Sequence, residues 1–133
     1  MEIVIDTSAL LAVVGNEPEK ATLITLTKGA SLVAPASVHW EVGNALSAMF
    51  KRRRTTLHTA RQALVAYSRI AIRFVDVPLE QAVELSSELR IYAYDAYIIA
   101  CAMNRQSPLL SLDKELSANA RLLGLNVLTE AAR

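Results

Sequence analysis

The chain has 133 residues, 53% of them hydrophobic and 20% charged, and a net charge of +1. That length suits one domain, expected to span 1–133, with a substantial core, and the near-neutral balance excludes a partner chosen by bulk charge. The longest uncharged run is the 12 residues from Gly29 to Trp40, well short of the roughly 20 apolar residues a membrane helix needs, so no membrane association is expected.

Taken in order, M-E-I-V-I-D opens with an apolar strand over Ile3–Ile5 and has neither a basic n-region nor a cleavage site, so no signal peptide is expected. Further short apolar runs, bounded by turn residues, predict strands at Ser31–Ala34, Arg73–Val77, Leu109–Ser111 and Asn126–Leu128. Helical spacing predicts helices over 7–14, 18–28, 37–53, 56–71, 79–90, 95–105 and 114–123. Gly29 and Gly124 stand where two of these should stop. Strands alternating with helices imply a three-layer α/β/α sandwich around a parallel five-stranded sheet. The single Cys101 lies in an apolar stretch and reads as a buried thiol; the protein is expected to be cytoplasmic.

The four aspartates are Asp6, Asp76, Asp95 and Asp113. Asp6 ends the first strand, Asp95 opens an apolar helix and Asp113 ends L-L-S-L-D; Glu41 lies one turn into S-V-H-W-E-V-G-N-A-L. Each aspartate could simply cap a helix. Glutamate inside an apolar helix needs a partner, however, and these strand ends can converge on the sheet edge where α/β ligands bind. Carboxylates so gathered repel one another unless a cation joins them. With no His or Cys adjoining these acids except His39, which reads as structural, oxygen donors select a hard ion, Mg²⁺ or Mn²⁺, which is equipment for phosphodiester hydrolysis with one or two ions.

I-V-I-D-T-S-A-L-L-A at 3–12, E-V-G-N-A-L at 41–46, Y-D-A-Y-I-I-A at 94–100 and L-L-S-L-D at 109–113 resemble the four PIN-domain motifs. Their order and the total length resemble the VapC toxins of bacterial and archaeal toxin–antitoxin modules. The resemblance implies a PIN-like fold and a Mg²⁺- or Mn²⁺-dependent endoribonuclease whose acidic quartet is Asp6, Glu41, Asp95 and Asp113, with Asp6 and Asp95 as principal metal ligands. Thr7 or Ser8, Asn44 and Ser111 match the polar positions that orient the carboxylates; Ser111 departs from the more usual threonine but keeps the hydroxyl. A homodimer inhibited by a VapB-like antitoxin is also implied, with RNA as substrate.

Lys51, Arg52, Arg53 and Arg54 form a basic run, and no acid occurs between positions 42 and 75. The run reads either as an RNA-phosphate surface close to the acidic pocket or as a solvated helix end. Trp40 reads as core or interface before base stacking, His39 and His58 as structural, and Tyr92, Tyr94 and Tyr97 as core or groove rim. The rival readings are a receiver-like domain, disfavoured because Asp76 falls inside strand three, and a dehalogenase-type phosphatase, disfavoured because Ser8 stands where its second aspartate would be. A non-catalytic PIN-like module that binds RNA or protein is the remaining alternative; it would not need all four acids.

Overall fold

A computed structural model describes residues 1–128. The elements in chain order are β1 (Glu2–Ile5), α1 (Thr7–Val14), α2 (Lys20–Thr27), β2 (Ser31–Pro35), α3 (Ser37–Lys51) and α4 (Leu57–Ser68), followed by β3 (Ile72–Val75), α5 (Leu79–Leu89), α6 (Ala93–Arg105), β4 (Leu109–Leu110), α7 (Lys114–Leu122) and β5 (Val127–Leu128). The five strands form one sheet of order β3-β2-β1-β4-β5, and every pairing is parallel. This is the α/β architecture that the alternation of strands and helices predicts.

Ile3, Val4 and Ile5 of β1 are buried, as are Leu109 and Leu110 of β4. The central strands are therefore apolar on both sides, as a parallel sheet covered by helices requires. Ile5 and Leu32 meet Leu10 and Val13 of α1 and Leu23 of α2, while α6 packs across β1 and β2 and carries α5 on its back. Helix α6 buries Ala96, Ile98, Ile99, Ala100, Cys101 and Ala102, so Cys101 is the structural thiol its setting suggests; burial pushes it up to about 11. Gly29 and Gly124 each adopt the left-handed conformation just beyond α2 and α7, where a side chain would be strained.

Three boundaries differ from expectation. Helix α3 ends at Lys51 because Arg53 turns left-handed, with φ 54°. Helix α6 begins at Ala93, so Asp95 lies in its first turn and Tyr92 is the N-cap. Asp76 follows β3 and is not inside it. The receiver-like rival therefore fails on topology: such folds use the order 2-1-3-4-5, and here β3 is an edge strand.

Candidate metal centre

Strand order reverses at β1, which has β2 on one side and β4 on the other. In open parallel sheets the carboxyl ends of strands at such a reversal leave a crevice in which ligands bind. Asp6 directly follows β1, and Ser111 and Asp113 directly follow β4. The first and fourth sequence motifs therefore meet because their strands are neighbours, with Ile5 paired to Leu110.

Asp6 is 3% exposed, a setting that a carboxylate tolerates only with its oxygens satisfied. Its Oδ1 accepts the Ala9 N–H at 3.0 Å, which makes Asp6 the N-cap of α1. Ser8 Oγ lies 2.8 and 2.9 Å from the two carboxylate oxygens, and the Ser111 hydroxyl donates to Oδ2 at 2.6 Å. Each serine also accepts a backbone N–H from the loop after β4: Leu112 N–H to Ser8 and Asp113 N–H to Ser111, both at 3.0 Å. Two hydroxyls thus tie the end of β1 to the end of β4 and fix the Asp6 carboxylate between them. Burial raises the Asp6 proton affinity; Ser111, Ala9 and Ser8 offset part of that, and the charge of Asp113 adds to it.

Glu41 is the fifth residue of α3 and half-buried. Thr7 Oγ1 approaches its Oε2 at 3.4 Å, a long contact. Burial first, then the charges of Asp95 and Asp6, push the Glu41 carboxyl up to about 7. Asp95, in the first turn of α6, is pushed up to about 6 by burial and by Asp113, Asp6 and Glu115. Asp113 is exposed and caps α7, its Oδ1 accepting the Leu116 N–H at 3.0 Å. The four acids therefore feel one another's charge across elements far apart in sequence. The sole ion pair among the described residues, Arg105 with Glu2, involves none of them.

Not every expected residue joins this cluster. Asn44 is exposed, one turn beyond Glu41, and takes no part in the hydrogen-bond network. Lys51 to Arg54 are exposed, yet Lys51 lies ten residues past Glu41 on α3, about 15 Å away at 1.5 Å per residue. The start of the basic run is thus a helix length from Glu41. Trp40 is 75% exposed, which removes it from the core. His39 pairs within its own surroundings, its Nδ1 3.0 Å from the Tyr67 hydroxyl and its ring edge-on to Trp40 and Phe74. Sequence reasoning missed Glu115, which shares a cleft with Asp95, Arg90, Ile91 and Tyr92. Its signal is an acid two residues after Asp113, indistinguishable by pattern from ordinary first-turn chemistry.

The donor set is carboxylate and hydroxyl oxygen, which suits a hard divalent ion. Among the described residues no three His, Cys, Asp or Glu side chains close tightly around one point. Mg²⁺ does not demand such a cage, since it commonly keeps several waters and takes one or two protein carboxylates. Mutual repulsion among acids that make no ion pair among the described residues is the condition that a bound cation relieves.

A family model described as PIN domain matches residues 3–122. The chain belongs to the PIN domain family. Comparison with curated protein sequences gave no significant match. Among solved structures, this PIN domain is similar to PAE2754 from Pyrobaculum aerophilum, with TM-score 0.69, 22% identity, and coverage of 90% of this chain and 79% of that one. It is also similar to VapBC2 from Rickettsia felis, solved bound to a DNA fragment from their promoter (TM-score 0.66, 14% identity, 96% and 98% coverage). A third is Mycobacterium tuberculosis VapC20, a sarcin-ricin loop cleaving toxin (TM-score 0.64, 18% identity, 87% and 93% coverage). The fold expected from the four motifs is thus the one observed, and it resembles that of VapC toxins. Among the described residues no helix is long and apolar enough to cross a membrane.

Proposed function

We propose that this PIN domain is a Mg²⁺- or Mn²⁺-dependent endoribonuclease, the cytoplasmic toxin of a toxin–antitoxin pair, acting as a homodimer and inhibited by a VapB-like antitoxin. The observation that carries this reading is the convergence of Asp6, Glu41, Asp95 and Asp113 at the strand-order reversal, each of the first three with its proton affinity raised by burial and by the others' charge. A structural acid gains nothing from such company, whereas a cation site requires it. A fold like that of the sarcin-ricin loop cleaving toxin VapC20 supports RNA as the substrate class, and a VapBC complex among the neighbours supports an antitoxin partner.

The chemistry that such an ion supplies is activation of water near neutral pH and relief of charge at a phosphoryl group. The chain's own part is to hold the donors. Ser8, Ser111 and the Ala9 N–H orient Asp6 before any ion arrives, so little reorganisation is left for binding. Asp6 and Asp95 are the principal ligands in this reading, and Glu41 and Asp113 complete the pocket. Burial and the charges of Asp95 and Asp6 push the Glu41 carboxyl up to about 7, so a cation held beside it would favour its ionised form.

Asp6→Asn tests the assignment. The amide keeps an oxygen for the Ala9 N–H, and the serine hydroxyls can rotate to accept from its nitrogen, so the fold should survive. Mn²⁺-dependent cleavage of RNA should fall at least about a hundredfold, with the circular dichroism spectrum unchanged. An undiminished cleavage rate would overturn the metal-ligand role. Growth arrest on expression, relieved by the same substitution, tests the toxin role separately.

A further inference from the structure

Helices α5 and α6 are joined by Arg90, Ile91 and Tyr92 alone. Arg90 is the left-handed C-cap of α5, with φ 55° and ψ 50°, and Tyr92 is the N-cap of α6. The Ile91 N–H donates to Ser86 O at 3.2 Å. The segment is therefore held at both ends by helices that pack on each other. Arg90, Ile91 and Tyr92 line an open cleft of about 380 Å³ together with Asp95 and Glu115, a volume in the range of small-ligand sites.

Two features of this cleft are not explained by packing. Tyr92 is 86% exposed and belongs to none of the ring pairs, whereas Tyr94 stands edge-on to Tyr97 and Trp40 to His39. Arg90 is exposed and makes no ion pair among the described residues. An uncommitted cation and a bare aromatic face thus stand on the rim of a carboxylate cluster.

We propose that Arg90 and Tyr92 hold the nucleotide adjoining the bond to be cut, with the guanidinium on its phosphate and the phenol ring against its base. The proposal rests on the nuclease reading for which bond is cut, while binding of single-stranded RNA by this cleft is independent of it. The acids lining the same cleft repel a polyanion, so a strand reaching them needs a positive anchor close by; the basic run at the end of α3 is a helix length from Glu41. Arginine suits phosphate because its planar fork donates two parallel hydrogen bonds. Stacking on a tyrosine accepts any base, which gives a foothold without sequence readout. One nucleotide offers both groups in the spacing of a single cleft, which favours RNA over a protein segment.

The test uses the full chain and a labelled single-stranded RNA of about ten nucleotides, followed by fluorescence anisotropy in EDTA over a range of KCl concentrations. Arg90→Gly removes the cation at a backbone position that glycine prefers, so weaker binding cannot be blamed on strain. The expected result is a salt dependence of log Kd shallower by about 0.7, the value of one phosphate contact on a single strand. Tyr92→Ala should weaken binding about five- to a hundredfold with the salt dependence unchanged, and Tyr92→Phe should bind like the parent. Variants that bind as the parent does would overturn the proposal, and so would a parent that does not bind RNA. Variants that keep RNA binding but lose a co-purifying antitoxin would assign the cleft to a protein and overturn it equally. RNA binding with this signature in a protein that cuts nothing with Mn²⁺ would uphold the subsite and reject the nuclease reading.

Discussion

The acidic cluster should make the metal-free protein less stable as pH rises through neutrality. Glu41 goes from an ordinary value of 4.5 to about 7 in the folded protein, and Asp95 from 3.8 to about 6. A carboxyl whose folded value is raised keeps its proton longer folded than unfolded. Its favourable contribution is complete below the ordinary value and is lost as pH climbs through the folded one. The window runs from about 4 to about 7. At about 1.4 kcal/mol per tenfold change in proton affinity, each group alone would give roughly 3 kcal/mol. Both side chains reach solvent and they share one mutual repulsion, which leaves about 3 kcal/mol for the two together. For a domain of this size that is about 10 °C in Tm. The assay is urea unfolding in EDTA at pH 5, 6, 7 and 8, repeated with saturating Mn²⁺. Stability in EDTA should fall across the series. Mn²⁺ should remove the fall and add about 2.7 kcal/mol at a hundred times its Kd. Asp95→Asn should flatten the EDTA profile by more than half, because it removes one titrating group and unloads Glu41. A metal-free stability that is level or rising from pH 5 to pH 8 would refute the crowding of these charges.

Ser111→Ala should cost about 1–3 kcal/mol, since the buried Asp6 Oδ2 loses its shorter hydrogen bond and the Asp113 N–H loses its partner; Ser111→Thr should restore most of it, and chemical denaturation reads both. Replacing Lys51, Arg52 and Arg54 by alanine and the left-handed Arg53 by glycine should leave Tm within about 2 °C, because all four are exposed. The same variant should make RNA binding less salt-dependent by about 0.7 for each phosphate that the run neutralises; an unchanged slope would leave the run as a solvated helix end. At the opposite, amino end of β1, Arg105 donates from Nε and Nη2 to Glu2 at 2.6 and 2.9 Å and holds its carboxyl down at about 2. That pair stabilises above the ordinary glutamate value and is lost as pH falls from about 4.5 to about 2, so Arg105→Ala should lower stability by a constant amount from pH 5 to 8, leaving the slope there unchanged, and should flatten the further loss in the acid window.

Much of this molecule can be read from periodicity because its strands are apolar on both faces and its breaks carry glycine or proline. Ile3–Ile5 needs no context to be a buried strand, and Asp6 after it is a cap in the sequence and a cap in the fold. Asp95 cannot be placed so well. An aspartate favours both the N-cap and the first turn, and Ala93 and Tyr94 are helical without an obvious cap before them. Strand order is out of reach for a different reason. Pairing β1 with β4 joins residues more than a hundred positions apart, and no local pattern encodes that choice. The distance of Lys51–Arg54 from Glu41 is hidden likewise, since sharing a helix does not make two residues neighbours in space. Glu115 escapes pattern reading because its significance comes only from lying across a cleft from Asp95.

The serine pair explains why the buried acid can exist at all. An unpartnered carboxylate taken out of water would shed its charge or unfold the edge that holds it. Asp6 avoids both by drawing its donors from three places: its own helix, its own first turn and the strand next door. The last of these can be supplied only when β4 is seated beside β1, because Ser111 sits one residue past Leu110, the partner of Ile5. Correct sheet assembly and correct aim of the carboxylate are therefore one event. The remaining three acids arrive on α3, α6 and α7, and no comparable set of donors awaits Glu41 or Asp95. What the fold satisfies at Asp6 it leaves unsatisfied around it, and that residual negative field is what a bound cation would relieve under the proposed reading.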